Sequence, residues 1–75
     1  MEQKVKRIII DKLGLNEKDY SEDSSFREDW GCDSLDLVDV IMECEKQFNL
    51  SITDDAVGRM KTPKDLIKYI KEHRK

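Results

Sequence analysis

The stretch that most constrains the fold begins at residues 31–36, Gly-Cys-Asp-Ser-Leu-Asp, and continues as a helical pattern to about Phe48. Asp33 and Ser34 are typical of a helix start, because their side-chain oxygens can accept hydrogen bonds from the free amides of a first turn. The same amides and the positive end of the helix dipole also favour an anion such as a phosphate. From this pattern alone, the simplest interpretation of Ser34 is that it caps the helix.

The helix that follows carries three separate rows of side chains. One apolar row forms a core face at helical spacing. It consists of Leu37, Val40, Ile41, Cys44 and Phe48. Two further rows repeat at i, i+3, i+7: an acidic row of Asp36, Asp39 and Glu43, and a second apolar row of Leu35, Val38 and Met42. Because a helix in so small a chain is rarely buried on two sides, the second apolar row predicts a docking surface for a partner. The alternative is that Leu35 and Val38 pack under the neighbouring loop.

Residues 2–13 predict the first helix. Its apolar residues recur at helical spacing, and Gly14 suits the position after a helix end. These apolar residues are Val5, Ile8, Ile9 and Leu13. Residues 15–33 keep no period, and a loop of this length is unusual in a small domain. Four large side chains could pin it to the helices: Leu15, Tyr20, Phe26 and Trp30. The sequence therefore predicts a long, packed loop between the first and second helices.

Two more helices are predicted in the last third of the chain. Residues 54–60 can form one or two turns capped by Thr53 or Asp54, and Gly58 makes this segment the least stable element. The last helix is clearly marked by Thr62 as the cap, Pro63 at the first position and Asp65 at the capping-box position. Its buried face is predicted to be Leu66, Ile67, Tyr69 and Ile70, and its water-facing lysines Lys64, Lys68, Lys71 and Lys75. The expected fold is all-α: residues 1–75 form a single domain, a small four-helix bundle of three main helices plus a short third helix.

Charge is unevenly distributed along the chain. The net charge is −3, but residues 21–60 carry 3 basic and 11 acidic side chains, whereas both ends are mildly basic. An acidic centre is a poor surface for nucleic acid, which needs clustered lysine and arginine. A basic protein surface is a better match, because complementary potentials speed encounter and fix the register of docking. The charge pattern therefore favours a protein partner and excludes nucleic acid.

The sequence shows no catalytic or metal-binding constellation. Ser34 has no histidine to activate it, since the single histidine, His73, is near the charged end of the chain. Cys32 and Cys44 lack zinc-ligand spacing, and the acids of the second helix lack the spacing of a calcium loop. Two unpaired thiols suggest a reducing cytosol, and no apolar run is long enough to span a membrane. We expect a non-enzymatic, cytoplasmic protein that enters chemistry only as a substrate or a handle.

Residues 26–36 read F-R-E-D-W-G-C-D-S-L-D, and this stretch resembles the F-x-E-D-L-G-A-D-S-L-D motif of the acyl carrier protein family. The similarity continues through residues 45–48, 52–54 and 69–70. It implies that Ser34 is esterified by 4′-phosphopantetheine, which a magnesium-dependent phosphopantetheinyl transferase (holo-acyl carrier protein synthase) donates from coenzyme A. The thiol of that arm would carry acyl groups as thioesters in type II fatty-acid biosynthesis. The alternative is a specialised carrier for polyketide, lipid-modification or aminoacyl transfer.

The resemblance also implies which side chains meet the transferase and the acyl-transferring and fatty-acid synthesis enzymes, whose docking patches are basic. With Glu43 added from the acidic row, these are Asp33, Leu35, Asp36, Val38, Asp39, Met42 and Glu43. The acyl chain of such a carrier is sheltered between the helices, and the candidates to line it are Val40, Cys44, Ile52 and Met60. The protein is expected to be a monomer. Trp30, Cys32 and Thr53 depart from the usual leucine, alanine and proline of the family.

Overall fold

The computed structural model describes residues 1–74, so Lys75, one of the lysines expected to face water, lies outside the described residues. Four α-helices follow one another in the order α1 (Glu2–Leu13), α2 (Ser34–Phe48), α3 (Asp54–Arg59) and α4 (Pro63–His73). A short 3₁₀ turn, Glu17–Asp19, interrupts the loop between α1 and α2. No strand occurs between residues 1 and 74. The predicted all-α fold with a short third helix is confirmed.

The helix ends have local causes. Gly14 adopts a left-handed conformation with φ 67°, and its N–H donates to the carbonyl of Ile10, which closes α1. Thr53 caps α3 by accepting from the Ala56 amide, so it takes the cap for which Asp54 was the other candidate. At α4, Thr62 forms the expected capping box with Asp65, and proline occupies the first turn. Each of these ends is fixed by residues within a few positions, as the sequence predicts.

The hydrophobic core draws on three of the helices and on the loops between the helices. Its buried side chains are Val5, Ile8, Ile9, Phe26, Cys32, Val40, Ile41, Cys44, Ile52, Met60, Leu66, Ile67 and Ile70. Four residues expected on buried faces are only half-buried against this core: Leu13, Leu37, Phe48 and Tyr69. Leu13 and Phe48 are the last residues of α1 and α2, where a side chain has fewer neighbours to cover it.

The long loop before α2 is packed onto the bundle. Phe26 is 1% exposed, and its N–H donates to the carbonyl of Lys61 at 2.9 Å, which ties the loop to the segment after α3. The ring of Trp30 meets the ring of Phe26 edge-on, with centroids 5.7 Å apart, and stacks on Tyr20 at 5.9 Å. Leu15 is also half-buried against the core. The predicted role of all four large side chains as contacts of the loop is confirmed.

No helix within the described residues is both long enough and apolar enough to cross a membrane.

Candidate functional site

The site is organised around the start of α2. Gly31 adopts φ 63°, a left-handed conformation that glycine tolerates without strain, and the chain then turns into the helix. The Asp33 carboxylate accepts from the Asp36 N–H at 2.9 Å, and the Asp36 carboxylate accepts from the Asp33 N–H at 3.4 Å. This is a capping box with Asp33 as the cap. The capping role expected for Ser34 is therefore wrong: Ser34 is the first residue of α2, and it is exposed.

A groove adjoins Ser34. Ser34 lines a cleft of about 570 Å³ that lies between α2, α3 and the residues around Phe26. Its apolar lining includes Phe26, Leu37, Ile41, Ile52, Val57 and Met60. Of the four residues expected to shelter an acyl chain, Ile52 and Met60 line this groove. Val40 and Cys44 do not, because both are fully buried in the core. Sequence reasoning missed Val57, since the helical pattern of α3 is too short to show which side faces a cavity. It also assigned Phe26, Leu37 and Ile41 to packing alone, although all three line the groove.

The second apolar row of α2 is exposed to solvent. Leu35 is 76% exposed, Met42 60% and Val38 41%, and they are the only large hydrophobic side chains among residues 1–74 with this much exposure. The alternative that Leu35 and Val38 pack under the loop is therefore wrong. Helix period alone accounts for the row, because residues three and seven positions apart share one face.

The acidic row of α2 is exposed at Asp36 and Asp39 and half-buried at Glu43. Gln47 donates to the Glu43 carboxylate at 2.7 Å, and the Lys12 ammonium lies 3.9 Å away. The hydrogen bond from Gln47, together with nearby lysines, lowers the pKa of Glu43. Glu43 is already engaged by side chains of its own protein, so Asp36 and Asp39 are the more accessible members of the row.

The two cysteines are buried thiols. Cys32, two residues before Ser34, lies in the core, and its burial, followed by the carboxylates of Asp36 and Asp33, raises its pKa. Burial, with a smaller contribution from neighbouring carboxylates, raises the pKa of Cys44 to about 12. Since the thiolate is the reactive form, neither residue has the environment of a nucleophile.

Both protein thiols are expected to label slowly in the folded state at about pH 8, because raised pKa values and burial leave almost no accessible thiolate. Cys44, which is fully buried, should label only when the protein unfolds. The measurement is a labelling time course with a small disulfide reagent, read by peptide mass spectrometry, with the urea-unfolded protein as control. Equal rates in both states would contradict the prediction.

The raised pKa of Cys44 also sets the sign of a pH effect on stability. Because the pKa of Cys44 is raised from 9.0 to about 12 in the folded state, the unfolded chain loses its proton first as pH rises. The free energy of unfolding should therefore fall as pH rises from about 9 towards about 12.

No group of three or more metal-ligating side chains occurs in the part of the chain that the structure describes. His73 stacks on Tyr69, with ring centroids 3.9 Å apart, and its Nδ1 lies 2.9 Å from the Tyr69 carbonyl oxygen. Its environment is that of a surface residue at the end of α4.

The features at the start of α2 fit a phosphodiester-linked group. The Ser34 hydroxyl is exposed, and the first-turn amides of Ser34 and Leu35 are available to phosphate oxygens, since Asp33 takes the amide of Asp36. The groove beside Ser34 can receive an apolar chain attached through such a group. The residues present therefore suit a phosphopantetheine arm.

Comparisons with known proteins identify the family. A family model described as a phosphopantetheine attachment site matches residues 3–70. The acyl carrier protein of Chlamydia trachomatis serovar L2 is 47% identical over 73 residues, which cover 97% of this chain and 95% of that protein. The acyl carrier protein of serovar D is 46% identical over 72 residues, covering 96% and 94% of the two chains. The chain therefore belongs to the acyl carrier protein family, non-catalytic carriers whose cofactor is 4′-phosphopantetheine.

Proposed function

We propose that Ser34 is the residue to which 4′-phosphopantetheine is attached. The observation that carries this proposal is the division of roles at the start of α2: Asp33 caps the helix, and the Ser34 hydroxyl is exposed beside it. In the transfer, the Ser34 oxygen attacks the β-phosphorus of coenzyme A, forms the phosphodiester and releases adenosine 3′,5′-bisphosphate, while its proton passes to the transferase or to water. The cap is not lost, because it does not involve this hydroxyl.

The thiol of the attached arm would carry acyl groups as thioesters. The groove of about 570 Å³ beside Ser34 supports this role, since half of its lining residues have large apolar side chains and an acyl chain gains from leaving water. Two residues expected from the sequence to shelter the chain, Ile52 and Met60, are part of that lining. The groove therefore offers storage for a chain between visits to partner enzymes.

Residues 1–75 would act as a single carrier domain, a cytoplasmic monomer in type II fatty-acid biosynthesis. The similarity to proteins named acyl carrier protein over 94% and 95% of their length supports this assignment. The apolar side chains in the groove also support this assignment, because the acyl groups of fatty-acid synthesis are apolar. Two thiols that remain unpaired agree with a reducing compartment.

The partner enzymes would dock on α2. The proposed docking face consists of Asp33, Leu35, Asp36, Val38, Asp39, Met42 and Glu43. The exposed apolar row supplies contacts that become buried on docking, and the acidic row steers basic patches towards Ser34. The phosphopantetheinyl transferase and the acyl-transferring enzymes of fatty-acid synthesis would share this face.

Charge reversal at Asp39 is expected to slow loading of the arm by about tenfold at low salt, because one steering charge changes sign. Asp39 is exposed and lies outside the capping box, so Asp39→Lys should leave the helix intact. Asp36→Lys would be a poorer test, since it removes a cap hydrogen bond and places a positive charge at the helix start. The measurement is the initial rate of mass gain with a phosphopantetheinyl transferase at several salt concentrations.

Glu72→Lys is the matched control for Asp39→Lys, since it makes the same charge change at an exposed position on α4. Its loading rate should stay within about twofold of the unaltered protein, because the added charge lies off the docking face. A loading rate of Asp39→Lys equal to that of Glu72→Lys at low salt would show that the acidic row does not steer the transferase.

Two measurements test the proposed function as a whole. Incubation with coenzyme A, magnesium and a phosphopantetheinyl transferase should add the mass of one arm, and no mass gain would refute the carrier assignment for Ser34. The acyl group on protein isolated from its own cells then tests the pathway. Long saturated or 3-hydroxyacyl chains support fatty-acid biosynthesis, whereas an amino acid or an unusual starter group would refute it.

A further inference from the structure

Glu45 holds the turn that connects α2 to α3. Its backbone carbonyl accepts from the N–H groups of Asn49 and Leu50, the latter at 3.2 Å. Its carboxylate accepts from the N–H of Ile52 at 2.8 Å, in a partly buried position. One residue of α2 therefore fixes the path of the chain over residues 49–52.

Ile52 is where this turn meets the groove beside Ser34. Its side chain is buried and forms part of the groove lining, and Glu45 lines the same groove. The next residue, Thr53, is the cap of α3. The hydrogen bond from the Ile52 amide to Glu45 therefore sets where α3 begins relative to α2.

Helix α3 forms one wall of the groove and packs on the core only through the half-buried side chains of Ala56 and Val57. None of the residues Asp54–Arg59 is buried. The buried side chains lie just outside its two ends, at Ile52 before it and at Met60 after it. The far end is tied by the hydrogen bond between the Phe26 amide and the Lys61 carbonyl. Apart from the buried Ile52 side chain, the near end is held by the hydrogen bond to Glu45, because the other side-chain hydrogen bond to this turn, from Tyr69 to the Ser51 carbonyl, is long at 3.5 Å.

We propose that Glu45 is a positioning residue for the acyl chain. Its carboxylate, through the Ile52 amide, holds the near end of α3 and so fixes the shape of the groove that receives the chain. This inference rests on the proposed function, because it concerns a chain carried on Ser34. The geometry requires a side chain long enough for its acceptor oxygen to extend from α2 to the Ile52 amide. It does not require the negative charge.

The test compares Glu45→Asp, which keeps the charge but shortens the reach, with Glu45→Gln, which keeps the reach and an acceptor oxygen. Each protein is loaded with an acetyl or a decanoyl arm, and backbone amide NMR shifts are compared. In the unaltered protein, the decanoyl arm should shift the amides of Ile52, Val57 and Met60 relative to the acetyl arm. Glu45→Asp should lose at least half of these shifts and speed exchange of the Ile52 amide by about tenfold or more.

Glu45→Gln should keep most of the decanoyl-dependent shifts of the unaltered protein. Its Ile52 amide should exchange more slowly than that of Glu45→Asp. Glu72→Asp, which shortens an exposed acid of α4, is the matched control and should behave as the unaltered protein. The proposal is overturned if Glu45→Asp keeps the full shifts, or if Glu45→Gln loses them to the same extent. Failure of the unaltered protein to accept an arm is a separate result, and it would refute attachment at Ser34 itself.

Discussion

Ser34→Ala is expected to abolish the gain of one phosphopantetheine arm when the protein is incubated with coenzyme A, magnesium and a phosphopantetheinyl transferase. The transferred phosphate needs a hydroxyl oxygen as its acceptor, and alanine leaves none at the start of α2. Intact-protein mass spectrometry reads the result directly as presence or absence of the mass of one arm.

The fold should survive this substitution. The Ser34 hydroxyl is exposed, and Asp33 provides the cap, so the free energy of unfolding should change by no more than about 0.5 kcal/mol. Ser51→Ala is the control, because Ser51 is also an exposed serine and should load at the rate of the unaltered protein. A full mass gain in folded Ser34→Ala would place the attachment elsewhere.

Phe26→Ala is expected to lower the free energy of unfolding by about 3–5 kcal/mol. The ring is 1% exposed and meets Trp30 edge-on, so its removal leaves a cavity under the loop that leads into α2. A domain of this size has a total stability of roughly 5–15 kcal/mol, so the variant should be largely unfolded at moderate urea concentrations.

Urea unfolding followed by far-ultraviolet circular dichroism measures the loss at Phe26. Leu35→Ala is the control, because Leu35 is 76% exposed and its removal should change the free energy of unfolding by no more than about 0.5 kcal/mol. A loss below about 1 kcal/mol in Phe26→Ala would show that the loop does not depend on this side chain.

The departures from the family motif have structural consequences that differ in kind. Trp30 completes an aromatic group with Tyr20 and Phe26, so the larger side chain is accommodated by the loop. Cys32 is accommodated as a small buried side chain, with its N–H donating to the Phe26 carbonyl at 2.9 Å. Thr53 uses its side chain to cap α3, which a proline could not do. None of these changes alters the exposed face of α2.

The four helices and most of their ends could be predicted from the sequence, because their causes are local. A glycine after α1, a threonine before α3 and the capping box of α4 each act within four residues of the helix end they define. The exposed apolar row of α2 was predictable for a similar reason: helix period alone separates it from the core face. The motif around Ser34 identified the family without any knowledge of packing.

The other features of the site were decided by tertiary packing, because they depend on which helices contact one another. Helical spacing placed Val40, Cys44, Leu37 and Ile41 in one core row, but it did not show that the row divides. Val40 and Cys44 face only the core, whereas Leu37 and Ile41 also line the groove. Asp33 rather than Ser34 caps α2 because of the backbone path after Gly31. The link from Glu45 to Ile52 joins residues seven positions apart across a turn, a contact that helix period does not specify. Sequence therefore determined the helices and the family, and tertiary structure determined the groove, because a cavity exists only between elements already packed together.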